Sequence, residues 1–236
     1  MYTEVPFRLA ELTAVGPYFA LRPAQEAGDG DWQPVAAAVT AADRLAERID
    51  LIAARLGGAS RWIAASVFYQ GWAARLTSIY TGSIVLGGAV PDLGMDRLRV
   101  SFPVSGPAEL LAAQLVAVDI DTGWRRLTDD HLSPLAAAVR RQVRIGSQLL
   151  RGNLAAALAG SLSALARGGQ AALPELVSRP WAQPPGLAGC GQWLAAADGP
   201  RYYRTTCCGL DQLPGGGRCG DCSLARPRPL VPRGPG

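Results

Sequence analysis

The chain has 236 residues, 49% of them hydrophobic, and a net charge of +4, so it can bury a sizeable core in one or two domains. All 23 basic side chains are arginine. With no lysine there is no Schiff-base amine and no Walker A lysine, which excludes pyridoxal chemistry and a standard P-loop. His131 is the only histidine, which excludes multi-histidine metal sites and a Rieske centre.

The first residues, Met1-Tyr2-Thr3-Glu4-Val5-Pro6, lack a basic start followed by an apolar run, so no signal peptide is expected. Residues 31–57 read as one helix, with Asp31 as its cap, Pro34 in the first turn and Gly57-Gly58 at its end. Ser60 then caps an apolar helix running from Arg61 towards Leu76 or beyond. Residues 62–90 are apolar enough to raise a membrane question. Arg75 interrupts them, however, and neither side reaches about 18 uninterrupted apolar residues, so a buried core helix and no transmembrane segment are expected. Residues 98–104 alternate as a strand does, and 115–120 form a second candidate. Ser133-Pro134 opens a helix that runs to about Ile145. His131, beside Asp129-Asp130, is read as a helix-entry histidine with acidic neighbours rather than as catalytic. Asn153 reads as the N-cap of the next helix, which ends at Gly168-Gly169.

A Pro/Gly-rich connection over 180–191 leads to a cysteine segment. Within it, Gly186-x-x-Gly189-x-Gly191 follows a proline-rich loop, not a strand, so it is no dinucleotide fingerprint. The expected fold class is mainly α with a small β-sheet (α+β), a helical body plus a short C-terminal cysteine-rich segment. The expected divisions are 1–180 for the body, 181–225 for the metal-binding segment and 226–236 for a Pro/Arg-rich disordered tail. About 45 residues hold little core of their own, so the cysteine loop is expected to pack on the body.

Four cysteines lie within 16 residues, Cys207-Cys208, ten residues, then Cys219-Gly220-Asp221-Cys222. They form a complete set of soft ligands for one metal centre. Disulfides fit this pattern worst, because a bond between adjacent residues closes a strained ring. Zinc fits Cys219 and Cys222 but not the adjacent pair, and on spacing alone zinc and an iron–sulfur cluster are equal rivals. The fifth cysteine, Cys190, reads as a buried free thiol.

Residues 201–236 hold six arginines against two aspartates, the whole net charge, while the other 200 residues carry seventeen of each sign. This reads either as a solvated basic tail or as a docking face for an acidic electron donor. No basic-aromatic face repeats along the chain, so no nucleic-acid partner is expected.

The cysteine pattern resembles that of the bacterial ferric-siderophore reductases (FhuF-like proteins). The likeness extends to Arg204-Thr205-Thr206-Cys207-Cys208, to Pro214-Gly215-Gly216-Gly217 before the closing motif, and to Arg151-Gly152-Asn153-Leu154-Ala155-Ala156. Residues 70–76 and Val90-Pro91-Asp92 are also similar, so the resemblance covers roughly residues 60–224. The chain departs from the family in having no aromatic soon after the cysteine pair, where Gly209-Leu210-Asp211 stands.

The resemblance implies a [2Fe–2S] cluster held by Cys207, Cys208, Cys219 and Cys222, a ferric hydroxamate siderophore as substrate, and a cytoplasmic setting. The chain shows no cofactor motif of its own, so the electron donor is expected to be external, such as a ferredoxin or a flavin reductase. Gly220 and the Thr205 and Thr206 hydroxyls are candidate hydrogen-bond donors to sulfur. Gly215 to Gly217 are expected to fold the loop back so that Cys219 reaches the pair. Candidate substrate-binding residues are Tyr202, Tyr203 and Arg204 beside the ligands, and Arg151 and Asn153 in the matched helix, with Trp181 and Trp193 flanking the linker. A surface salt bridge is the competing role for Arg204. Two alternatives remain open, a zinc-stabilised helical interaction module and an iron–sulfur sensor or carrier without a siderophore substrate.

Overall fold

The computed structural model describes residues 6–28, 30–196 and 199–225. The expected tail over 226–236 lies outside them. The architecture is mainly α with small sheets, as the sequence implies.

Helix α1 (Leu9–Val15) sends Leu12 into the core and is followed by the short strands β1 (Arg22–Pro23) and β2 (Gln33–Pro34). The single helix expected over 31–57 is instead two, α2 (Val35–Thr40) and α3 (Ala42–Arg55). The break falls at Ala41, whose ψ of 131° is extended. Just before it, the Thr40 hydroxyl donates back to the Ala36 carbonyl oxygen at 2.6 Å. The turn lets Val35 and Val39 of α2 and Leu45 and Ile49 of α3 all reach the same core. Pro34 lies in β2, before the helix rather than inside it, and Asp31 caps nothing. Gly57 and Gly58 end α3 at φ of 73° and 82°, as expected.

Helix α4 (Arg61–Val85) is the long apolar helix that Ser60 announces, although the Ser60 side chain makes no capping bond. It is buried nearly all round, which is how a central helix reads. Trp72, Leu76 and Ile79 are 2% exposed or less, each side chain stabilising by about 1.5–3 kcal/mol through burial. Arg75 is buried too. Its two terminal nitrogens donate to the carbonyl oxygens of Pro17 at 2.8 Å and Ala20 at 2.6 Å, pinning the loop after α1 to α4.

Four short strands follow, β3 (Val90–Pro91), β4 (Leu98–Ser101), β5 (Glu109–Ala112) and β6 (Ala117–Val118). One sheet runs β1-β5-β4-β2, with β1 parallel to β5 and the other pairs antiparallel; β3 pairs with β6. The expected strand over 98–104 is thus the shorter β4. Its hairpin partner β5 was not expected, and the one expected over 115–120 shrinks to β6.

Helix α5 (Ile120–Arg125) is capped by Asp119, which accepts from the Thr122 N–H at 2.8 Å. It continues through a π-helical turn (Arg126–Leu132) into α6 (Ser133–Gln142). Helix α6 thus begins at Ser133 as expected, though as the continuation of that turn, and ends at Gln142 rather than near Ile145. Pro134 lacks an N–H, and the wider π turn before it accommodates the missing bond. His131 sits in this turn, fully buried, with Nε2 2.5 Å from the Leu93 carbonyl oxygen and its ring centroid 6.0 Å from that of Trp72.

Helix α7 (Ser147–Arg167) packs along α4. Asn153 bonds Ser66 and Ser161 bonds Thr81. The contacts advance together along both helices, so the two run in the same sense. Among the described residues α7 is the one helix long and apolar enough to cross a bilayer, yet 67% of its most apolar window is buried inside the fold. After α8 (Leu173–Ser178), the hairpin β7 (Gly191–Leu194) and β8 (Arg201–Arg204) packs on α7.

Candidate metal centre

Strand β8 delivers the cysteine pair. Its residues grow more buried along the strand, from exposed Arg201 to fully buried Arg204. Opposite, Trp193 meets Tyr202 edge-on, ring centroids 5.4 Å apart. Gly191, facing Arg204, has no room for a Cβ beside the Tyr202 ring and the Tyr203 carbonyl. Thr205 ties the end of β8 to the turn at Cys190. Its N–H donates to the Cys190 carbonyl at 2.9 Å, and its hydroxyl lies 3.1 Å from the carbonyls of Gly189 and Cys190.

The two halves of the cysteine motif are joined at Arg204 and Asp221. The Arg204 N–H donates to the Asp221 carbonyl at 3.0 Å. The Arg204 Nε donates to the Asp221 carboxylate at 2.6 Å, and one terminal nitrogen donates to Asn153 Oδ1 at 2.7 Å. The Asn153 amide nitrogen in turn donates to the Ser66 carbonyl and hydroxyl at 3.1 and 3.0 Å. A buried chain thus runs from α4 through α7 and β8 to the C-x-x-C loop. It corrects two expectations. Asn153 is not a helix cap but an interior residue of α7, and Arg204 is not a surface salt bridge but a fully buried one.

The loop between the ligands folds back through its glycines. Gly209 has φ 86°, and a Cβ there would strike Trp62 at the start of α4. Gly215 has φ 70°, and Gly216 N–H donates to the Leu213 carbonyl at 2.8 Å. All five cysteines are free thiols. Cys208 and Cys219 bring their sulfurs to 3.6 Å. A tetrahedral ion with metal–sulfur bonds of about 2.3 Å spans a sulfur–sulfur edge of about 3.8 Å, so this pair is already near ligand spacing. Cys207 instead turns its thiol to Asp211 Oδ1 at 3.0 Å, and Cys222 is buried. Among the described residues, no three His, Cys, Asp or Glu side chains yet converge on one point.

The protonation balance favours a thiolate at Cys208. Its pKa is pulled down to about 6, first by the hydrogen bond with Cys219, then by the Leu210 backbone N–H and the Arg204 charge, with burial opposing. Cys219 is pushed up by the same bond, by burial and by Asp221. Cys207 is raised by burial and by its bond to Asp211. Backbone donors to sulfur come from Gly209, 3.4 Å from Cys207 Sγ, and from Leu210, rather than from Gly220 as expected. Neither threonine donates to sulfur. Thr205 is used as described, and the buried Thr206 hydroxyl packs on Gly152 without a hydrogen-bond partner. The second terminal nitrogen of Arg204 is likewise buried without one. Four soft donors beside the buried Arg204 charge suit a centre of anionic sulfur.

The other sequence candidates scatter. Tyr202 faces a cavity of about 970 Å³. Tyr203 is buried. Arg151 points at Cys190 Sγ across 3.9 Å, away from that cavity. Trp181 packs against the core, and Trp193 on Tyr202. Of the arginines in the expected basic docking face, the described residues place one in a buried ion pair. Arg204 is neutralised by Asp221, and Arg226, Arg228 and Arg233 lie outside the described residues. Sequence reading missed Asp221 as the partner of Arg204 and Ser66 as the anchor of Asn153. The first had a signal, a carboxylate between two candidate ligands; the second had none.

No family model, curated protein or solved structure matches this chain. The resemblance to ferric-siderophore reductases therefore rests on the residues themselves.

Proposed function

We propose that this chain is a ferric-siderophore reductase that holds a [2Fe–2S] cluster and releases iron in the cytoplasm by one-electron reduction of Fe(III) to Fe(II). One observation carries the reading. Four free thiols in the C-C-x(10)-C-x(2)-C pattern lie on one loop, two of them at ligand spacing beside a buried arginine. When bound there, the cluster supplies a one-electron carrier. The chain's own residues hold and bias it. Cys207, Cys208, Cys219 and Cys222 are the ligands, Gly209 and Leu210 point N–H groups at sulfur, and Arg204 offsets negative charge. Hydroxamate oxygens are hard donors that hold Fe(III) tightly and Fe(II) poorly, so reduction alone releases the metal. The partners are the ferric siderophore and an external donor such as a ferredoxin or a flavin reductase.

The Cys208–Cys219 spacing fits zinc equally, so metal content decides. Protein purified without oxygen is expected to carry about two irons and two sulfides per chain, and a colourless protein with one zinc would sink the proposal. Cys219→Ser is expected to lose the cluster and Cys190→Ser to keep it. The dithionite-reduced protein, mixed with ferric hydroxamates, is expected to reoxidise faster than in buffer. Equal rates would leave a carrier or sensor instead.

A further inference from the structure

The two residues between Cys219 and Cys222 form part of a cavity wall. Gly220 and Asp221 line the groove of about 970 Å³ that Tyr202 also faces. This volume falls at the upper end of small-molecule sites, about 300–1,000 Å³. The floor is α7, where alanines and Gly160 leave room that larger side chains would fill. The far wall is the loop after α1, which Arg75 fastens to α4.

Arg167 stands exposed on the wall of the groove. The one carboxylate among its described lining residues, Asp221, is already paired with Arg204. An apolar floor with an arginine at its rim complements a bulky chelate with an apolar scaffold and an oxygen-rich face, and disfavours a cationic one.

We infer that this groove seats the substrate, an Fe(III) chelate of zero or negative net charge, held against Gly220 and Asp221. The inference rests on the function proposed above and gives that function a place. The bound Fe(III) takes one electron from the reduced protein and becomes Fe(II). Only its coordination bonds loosen, and the external donor restores the electron.

Gallium(III) has the size and charge of Fe(III) but is not reduced, so it separates binding from turnover. The probes are the neutral Ga(III) complex of a cyclic trihydroxamate and the trianionic Ga(III) tricatecholate, titrated calorimetrically into the metal-loaded protein. At least one is expected to bind with micromolar affinity. Gly160 is exposed, and a Cβ there meets nothing within 4 Å. Gly160→Trp therefore adds an indole at the groove from a position with open space at its Cβ and is expected to weaken binding by roughly tenfold or more, with metal content and helical signal unchanged. Arg167→Glu, on an exposed side chain, is expected to weaken the trianion more than the neutral complex. Failure of both complexes to bind, or unchanged affinity in Gly160→Trp, overturns the inference. If the gallium complexes bind in the groove but the ferric ones are not reduced, the site stands and the reductase falls. If ferric complexes are reduced with the same KM in Gly160→Trp, the reductase stands and the site falls.

Discussion

Arg204 carries its charge at 0% exposure, and three hydrogen bonds to two neighbours hold it there. Asp221 supplies the countercharge, Asn153 takes a second N–H, and the Asp221 carbonyl takes the backbone N–H. Breaking a buried pair leaves its partner uncompensated, whereas removing both sides costs far less. Arg204→Met is accordingly expected to destabilise by about 3 kcal/mol, and the Arg204→Met/Asp221→Leu double variant to recover much of it, as read by urea denaturation. Additive losses would mean that the pair does not hold the loop. At this scale the sequence showed which residues matter more clearly than what they do. Arg204 and Asn153 stood out through the resemblance, but their partners lie 17 and 87 residues away. Nothing local in a chain announces such a hydrogen bond. Asn153 was misread because an asparagine near a helix start is usually a cap, and the helix begins six residues earlier, at Ser147.

The π-helical turn between α5 and α6 places His131 where no water reaches it. Its Nε2 donates to Leu93, which leaves Nδ1 buried without a partner. Burial lowers its pKa below the ordinary 6.5, against weaker raising effects from Leu93 and Asp130. The unfolded chain takes up a proton near 6.5 while the folded imidazole does not, so stability falls as pH drops through that value. The slope due to His131 approaches about 1.4 kcal/mol per pH unit. His131→Gln keeps a donor for Leu93 and is expected to flatten the fall between about pH 7 and 5.5, seen as a smaller change in urea midpoint. An unchanged slope would remove His131 as the cause. Long apolar helices such as α4 were legible, because burial all round leaves a continuous apolar run. Two-residue strands and the break at Ala41 were not, since tertiary contacts decide them rather than periodicity.

Helices α4 and α7 give the molecule a core that does not depend on the cysteine loop. The loop leans on them at Gly209 against Trp62 and at Thr206 against Gly152. A bound metal stabilises the folded loop by linkage. Chelation is expected to lower the melting temperature by several degrees while the helical circular dichroism at room temperature stays within a few per cent. Collapse of that signal would show that body and loop fold as one. Mainly α architecture and a loop packed on a helical body were readable from composition and spacing. The shared direction of α4 and α7 was not, because sequence order does not state which way two helices lie.

The Arg204–Asp221 clamp changes how the spacing of the cysteines should be understood. The clamp fixes residues 204 and 221 to each other, and Cys207 and Cys208 lie just past one end while Cys219 and Cys222 bracket the other. The ten residues between the pairs then set no distance. They are a tether whose ends are already fastened, and lengthening a tether costs little, about 0.6 kcal/mol per doubling. Glycines added beside Gly215 would change the written motif and leave the ligand set in register.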